Sequence, residues 1–187
     1  LAKQNNKIPE QSLILSGVIV SVAFSAIIVF LISISGSETL HGLTWWLWGS
    51  FQVYDIKLLF IVTSVVFFGV VAVYVFSQDL NAISIGEEEA IHLGIDVETV
   101  KKTLILITSL ITASLVCICG IIGFVGLMIP HMMRLIVGPN HKTLIPTTCL
   151  AAAIFMVACD TISRTIFAPL EIPIGVITAI LGAPTFI

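Results

Sequence analysis

The sequence predicts an all-α, polytopic integral membrane protein with about six transmembrane helices. Two numbers and one pattern carry that prediction. Of 187 residues, 58% are hydrophobic and only 10% charged, against about 25% charged in an average soluble domain. Mean hydropathy is +1.14, more apolar surface than a soluble core absorbs but suited to a bilayer. The pattern is a series of long uncharged runs separated by short polar segments. A net charge of −3 on so few charges leaves no basic patch, so nucleic acid is not an expected partner.

The chain opens on LAKQNNKIPEQS, polar and lysine-bearing, which does not resemble a cleavable signal peptide. It lacks an initiating Met and is expected to be a fragment or to start downstream of further sequence. Residues 13–34 then run without a charge, enough at about 1.5 Å per residue to cross a core of about 30 Å. A second span covers 58–77. Between them SETLHGLTWWLWGSF holds Trp45, Trp46 and Trp48, which suits a segment anchored at headgroup level better than an aromatic ligand site.

Residues 103–137 carry Arg134 as their one charge, and a straight helix of that length would measure about 50 Å. Two spans, 103–120 and 122–137, must share the run, with a turn between. The stretch GIIGFVGLMIPHMMR supplies it, with Gly120, Gly123 and Gly126 as the permissive positions. Pro130 removes one helical hydrogen bond and frees the Gly126 carbonyl, so a kink is expected there. His131, one turn from Arg134, reads as interfacial. The fifth span, 144–168, is interrupted by Asp160 and Arg164, and the sixth, 172–187, is apolar to its end and looks cut short.

With the N-terminus inside, Lys3, Lys7, Lys101, Lys102, Arg134 and Lys142 fall on the inner side and only Lys57 and Arg164 on the outer. The positive-inside rule favours that orientation. Cys117, Cys119, Cys149 and Cys159 lie in apolar stretches and read as small buried hydrophobes. Cys117 and Cys119, two apart, point to nearly opposite helix faces and cannot share a metal.

The inner loop, 79–100, is the one long polar segment. Gly86 and Gly94 bracket EEEAIHL, about two helical turns with acids at the positive N-terminal end. Asp96 can cap the next helix, with Glu98 in its first turn. The loop thus reads as two helical pieces meeting at Gly94, with Ile91, Leu93 and Ile95 available to bury. Docking against a cytoplasmic partner and packing on the membrane face both fit this pattern.

Three motifs, GEEEAIHLGIDVETVKK, GFVGLMIPHMMRLIVGPNHKTLIP and ACDTISRTIFAPLEIPIGVITAILGAP, together resemble the permease subunits of ATP-binding-cassette importers for iron–siderophores, haem and cobalamin. Such permeases usually carry ten helices, and the resemblance begins at the fifth, so the chain corresponds to the C-terminal six. The resemblance implies that residues 82–99 form a coupling segment of two short helices seated in a groove of an ATPase subunit. Gly86, Glu87, Glu88, Glu89, Ala90, His92, Leu93 and Gly94 would carry that contact. It further implies a homodimer of permeases in the bacterial cytoplasmic membrane, with two ATPases below and a substrate-binding protein above. Helix 13–34 would line the pathway, and Glu10, Gln11 and Ser12 would lie near its cytoplasmic gate.

Arg164 would meet an acidic residue of the binding protein, although Asp160 and Arg164, spaced i,i+4, also suit a simple ion pair. Glu171 and Pro173 would shape the outer turn. Hydrolysis would belong to the partner, so the chain itself is expected to be no enzyme and to bind no cofactor or metal. An ion-coupled transporter or channel using Asp160 and His131 is the competing class. An intramembrane enzyme would need a nucleophile beside a base, and no spacing in the chain demands one.

Overall fold

The computed structural model describes residues 10–53 and 55–186. Lys3, Lys7 and the last residue of the expected 172–187 span lie outside that range. The chain divides into two compact units, residues 1–44 and 45–187.

The first unit holds helix α1 (Glu10–Ser33) and the start of α2 (Ser37–Trp48). The span Ile14–Ser33 has a mean hydropathy of 2.7 and is apolar on every face, as lipid or a membrane bundle requires. Its hydroxyls are bonded locally: Ser16 Oγ donates to the Ser12 carbonyl at 2.6 Å and Ser33 Oγ to that of Val29 at 2.8 Å. That back-bonding lets serine sit in a helix with no water beside it. The tryptophan-rich segment is a regular helix, α2.

In the second unit, α3 (Ile56–Val75) starts where the Asp55 side chain accepts from the N–H groups of Lys57 and Leu58, an N-cap of the usual kind. It ends at Val75. Residues 77–85, expected partly at the end of the second span and partly in the coupling loop, form a separate helix, α4 (Ser77–Ile85). The reason is tertiary: α4 packs against α8, and its first residue, Ser77, is buried. There follow α5 (Glu87–His92), α6 (Val97–Cys119), α7 (Val125–Val137), α8 (His141–Thr165) and α9 (Ile174–Gly182), which runs into a 3-10 turn, Ala183–Phe186.

Among the described residues α1, α3, α6 and α8 are long and apolar enough to cross a membrane, while α7 and α9 are apolar but shorter. With 13 residues, α7 is about 20 Å long and falls short of a full crossing by itself. The six expected spans therefore resolve into four full-length helices and two short ones. Helix α3 lies along α6, and α7 along α8, with α9 against both of the latter. The α3–α6 approach is close, since a Cβ on Gly69 would lie 2.6 Å from the Ile111 side chain. Small residues at such crossings are how membrane helices gain van der Waals contact.

Where α8, α9 and the segment after α2 meet, Cys159, Ile174 and Ile177 are buried, with Phe51, Phe155 and Ile172 packed on them. Elsewhere large apolar side chains face outward: Phe60 is 71% exposed and Ile154 72%, a surface only lipid or another membrane helix tolerates.

The turn between α6 and α7 differs from the expected one. Gly120 has φ +71, but Gly123 lies outside the left-handed region and Gly126 is already inside α7. The second left-handed residue is Phe124, at φ 67. The chain needs a single tight corner at Gly120, so α7 can start at Val125 and absorb Gly126. Pro130 lies within α7, where its missing N–H leaves the Gly126 carbonyl without its helical partner.

Candidate functional site: the two polar ends of the second unit

Charged and polar side chains collect at the two ends of the helices. One end is built by α4, α5 and the first turns of α6 and α8. Gly86, between α4 and α5, has an extended φ of 170, and the Glu89 side chain folds back over it, so that a Cβ there would lie 1.9 Å from Glu89 Oε2. Helix α5 closes with a Schellman motif: the Ile95 N–H donates to the Ala90 carbonyl (3.1 Å) and the Gly94 N–H to that of Ile91 (2.9 Å). Gly94 takes φ +84 with open space around its Cα.

The side chain buried beneath α5 is Ala90, 0% exposed, with Val97 and Val100 also buried. Ile91 and Leu93, read as available to bury, are 58% and 71% exposed in this chain, as is Ile85 at 77%. All three are exposed and flank the acids in sequence. The two helical pieces read from the sequence, α5 and the Asp96-capped start of α6, do meet at Gly94; α4, joined to α5 at Gly86, is a further helix.

Of the three glutamates, Glu87 pairs with Lys101 of α6, Glu89 covers Gly86, and Glu88 is exposed, as are His92 and Leu93. Glu98 lies 3.6 Å from Lys102. Asp96 caps α6 through the Thr99 N–H (3.2 Å) and hydroxyl (2.6 Å). The hydroxyl bond, then the backbone bond, hold its carboxyl below the usual value. A depressed carboxylate pKa contributes stability that is present above the unfolded value of about 3.9 and is lost as pH falls through the lower folded one. Fraying of the first turn of α6 is therefore expected only below about pH 4, read by amide exchange of residues 97–100.

Sequence reasoning missed a junction at this end. Asn81, in the middle of α4, meets Asn140 and His141 at the start of α8. The signal was the asparagine immediately before the apolar run of α8, a ready N-cap. Its partner sixty residues earlier had no local signature. A smaller test applies at Gly94. Gly94→Ala forces a side chain into the left-handed region at about 1–2 kcal/mol. Faster proteolysis or exchange of residues 87–95, with the spans unchanged, is the expected result.

At the other end Arg164 Nε donates to both carboxylate oxygens of Asp160, at 3.1 and 3.0 Å, with the Arg164 side chain 43% exposed. The ion pair read from the i,i+4 spacing is thus formed, and the Arg164 side chain stays partly exposed. Gln52 donates to the Glu171 carboxylate, and Ser163 Oγ donates to the Ile172 carbonyl while the Ile172 N–H returns to the Ser163 carbonyl at 3.2 Å. Pro173 precedes α9 as its cap residue. These bonds seat the outer turn on the end of α8.

In the first unit, Glu10 opens α1, with Gln11 and Ser12 in its first turn. All four cysteines are free thiols. Among the described residues no group of three or more His, Cys, Asp or Glu is placed to share a metal.

Membrane-length apolar helices, with a two-helix polar loop at one end and an exposed ion pair at the other, define a multi-pass helical membrane protein. The chain belongs to the FecCD transport family, whose profile matches residues 1–187. It is 37% identical to the cobalamin import system permease protein BtuC of Halobacterium salinarum, over 100% of this chain and 50% of that one. It is 31% identical to the hemin transport system permease protein HmuU of Yersinia pestis, over 94% of this chain and 52% of the relative. The solved inward-facing conformation of a metal-chelate type ABC transporter superposes with a TM-score of 0.89 at 36% identity, covering 95% of this chain and 57% of that one. The chain spans about half the length of the curated relatives it matches.

Proposed function

We propose that this chain forms the C-terminal part of the membrane permease of an ATP-driven importer for iron–siderophore, haem or cobalamin-type chelates in a cytoplasmic membrane. The observation that carries the proposal is the inner loop of a FecCD-family chain. Its two short helices are fastened to α6 and α8 and present Glu88, Ile91 and Leu93 outward. Exposed apolar side chains that flank acids in sequence suit the groove of a partner protein. Fastening makes sense of a loop that must transmit force.

In this reading the partner ATPase seats against Gly86–Gly94, a second permease copy completes the pathway lined by α1, and Arg164 faces the substrate-binding protein. In the same reading hydrolysis occurs in the partner, and this chain converts the partner's movement into access for the chelate. The chelate itself is cargo.

The test uses the complete permease in vesicles with its ATPase and binding protein. Glu88→Lys places a cation on the rim of the docking surface, and opposite charge at a rim changes association by roughly tenfold or more. Chelate uptake per ATP hydrolysed is expected to fall, with membrane insertion unchanged. Uptake that follows a proton or sodium gradient and ignores ATP would instead establish a gradient-driven transporter.

A further inference from the structure

The junction around Asn81 carries an inference beyond the docking of the loop. Asn81 Oδ1 accepts from the His141 N–H at 2.8 Å and lies 2.7 Å from His141 Nδ1. Its Nδ2 donates to Asn140 Oδ1 at 3.0 Å, and that oxygen also accepts from the Lys142 N–H at 3.0 Å. With Oδ1 facing two nitrogens, the amide has one sensible orientation, and His141 Nδ1 must carry a proton.

The first four N–H groups of a helix have no partner within it. In α8 the His141 N–H is met by the Asn81 side chain, that of Lys142 by the Asn140 side chain and that of Thr143 by the Asn140 carbonyl at 3.1 Å, after which Leu144 starts the helical ladder on the same carbonyl at 2.8 Å. One of these partners thus comes from another helix. Pro146 lies within α8 and has no N–H, so the Lys142 carbonyl loses its helical bond. The opening turn of α8 therefore depends on what holds it from outside.

Helix α4 is tethered to α3 by Phe76 alone and to α5 by Gly86, so its placement needs a side contact, and Asn81 provides one. At its far end α8 carries Arg164, about 35 Å away at 1.5 Å per residue. We infer that Asn81 is a positioning residue that latches α4 to the first turn of α8, so that movement of the inner loop is carried along α8 to the Arg164 end. The transport consequence rests on the coupling reading proposed above; the latch itself does not.

Two measurements on the complete permease separate these levels. In lipid vesicles without partners, Asn81→Ala is expected to speed amide exchange in 77–85 and 140–144 together. His141→Leu, which removes the ring contact and leaves the His141 N–H bond, should do so to a smaller degree, and adding it to Asn81→Ala should change little further. His141→Asn, which returns an amide N–H near the position of Nδ1, should restore much of the protection. Faster exchange in α4 with α8 unmoved would overturn the latch.

In the assembled transporter, Asn81→Ala should leave basal ATP hydrolysis near wild type and cut its stimulation by loaded binding protein about tenfold, a usual size for coupling between sites. Unchanged stimulation, or equal loss of basal and stimulated rates, would overturn the positioning role. If the exchange results hold and uptake proves independent of ATP, the latch stands and the coupling reading fails.

Discussion

Replacing Gly120 with alanine is expected to cost about 2–6 kcal/mol of stability, summing about 1–3 for the backbone and about 1–3 for overpacking. The residue sits at φ 71, ψ −162, a region essentially reserved for glycine. A Cβ there would lie 1.9 Å from the backbone carbonyl oxygen of Trp46 and 3.2 Å from Gly49 Cα. Backbone cannot swing aside as a side-chain tip can. The same segment is pinned by the Ser50 N–H on the Cys119 carbonyl at 2.9 Å and the Ile174 N–H on the Gly49 carbonyl at 3.2 Å, so α6, α9 and residues 46–50 move together or not at all.

Gly126→Ala is the control. A Cβ at Gly126 has no neighbour within 4 Å and the residue is helical, so alanine there should be neutral or stabilising by up to about 1 kcal/mol. Thermal unfolding in detergent, with the yield of monodisperse protein, distinguishes the two. Equal melting of the two variants would sink this account of the corner.

That contrast shows what was legible in the sequence. The fold class was, because hydropathy and length act locally: 103–137 could not be one helix, and a corner had to fall in the glycine-rich run. Which glycine makes the corner depends on Trp46 and Gly49, far away in sequence, and no pattern in GIIGFVG announces them. Phe124 at positive φ defeats propensity altogether, a tertiary outcome.

The inner loop divides in the same way. Asp96 as a cap and Gly94 at the end of α5 follow from local chemistry and were readable. Helix α4 was not, because its residues look like an ordinary polar linker until α8 is beside them. Ala90 tells a similar story: flanked by bulkier Ile91 and Leu93, it is the residue buried, since only a small side chain lets α5 lie close on its neighbours. The Asn81 junction, three residues from two distant segments, is the clearest case of a feature that periodicity cannot reach.

Reversing charge at Arg164 is the prediction with the largest expected effect on activity. Within the chain, Arg164→Glu replaces an i,i+4 ion pair with two carboxylates. The pair is exposed, so its loss costs at most about 1 kcal/mol, with a repulsion of a few tenths on the same helix face. Insertion and folding should survive. If Arg164 also meets an acidic group of the binding protein, as proposed, a paired contact between proteins becomes a repulsive one. Affinity for the binding protein should fall at least about tenfold, equivalent to about 1.4 kcal/mol, with the loss growing at low salt, where exposed charges are least screened.

The swap Asp160→Arg with Arg164→Asp resolves the two roles. It rebuilds the intrahelical pair one turn away and should restore stability to near wild type. Docking needs a cation at position 164, so affinity should stay low. Binding measured against wild type, Arg164→Glu and the swap decides the matter: affinity recovered by the swap would confine Arg164 to neutralising Asp160, and affinity still lost would place its guanidinium in the interface.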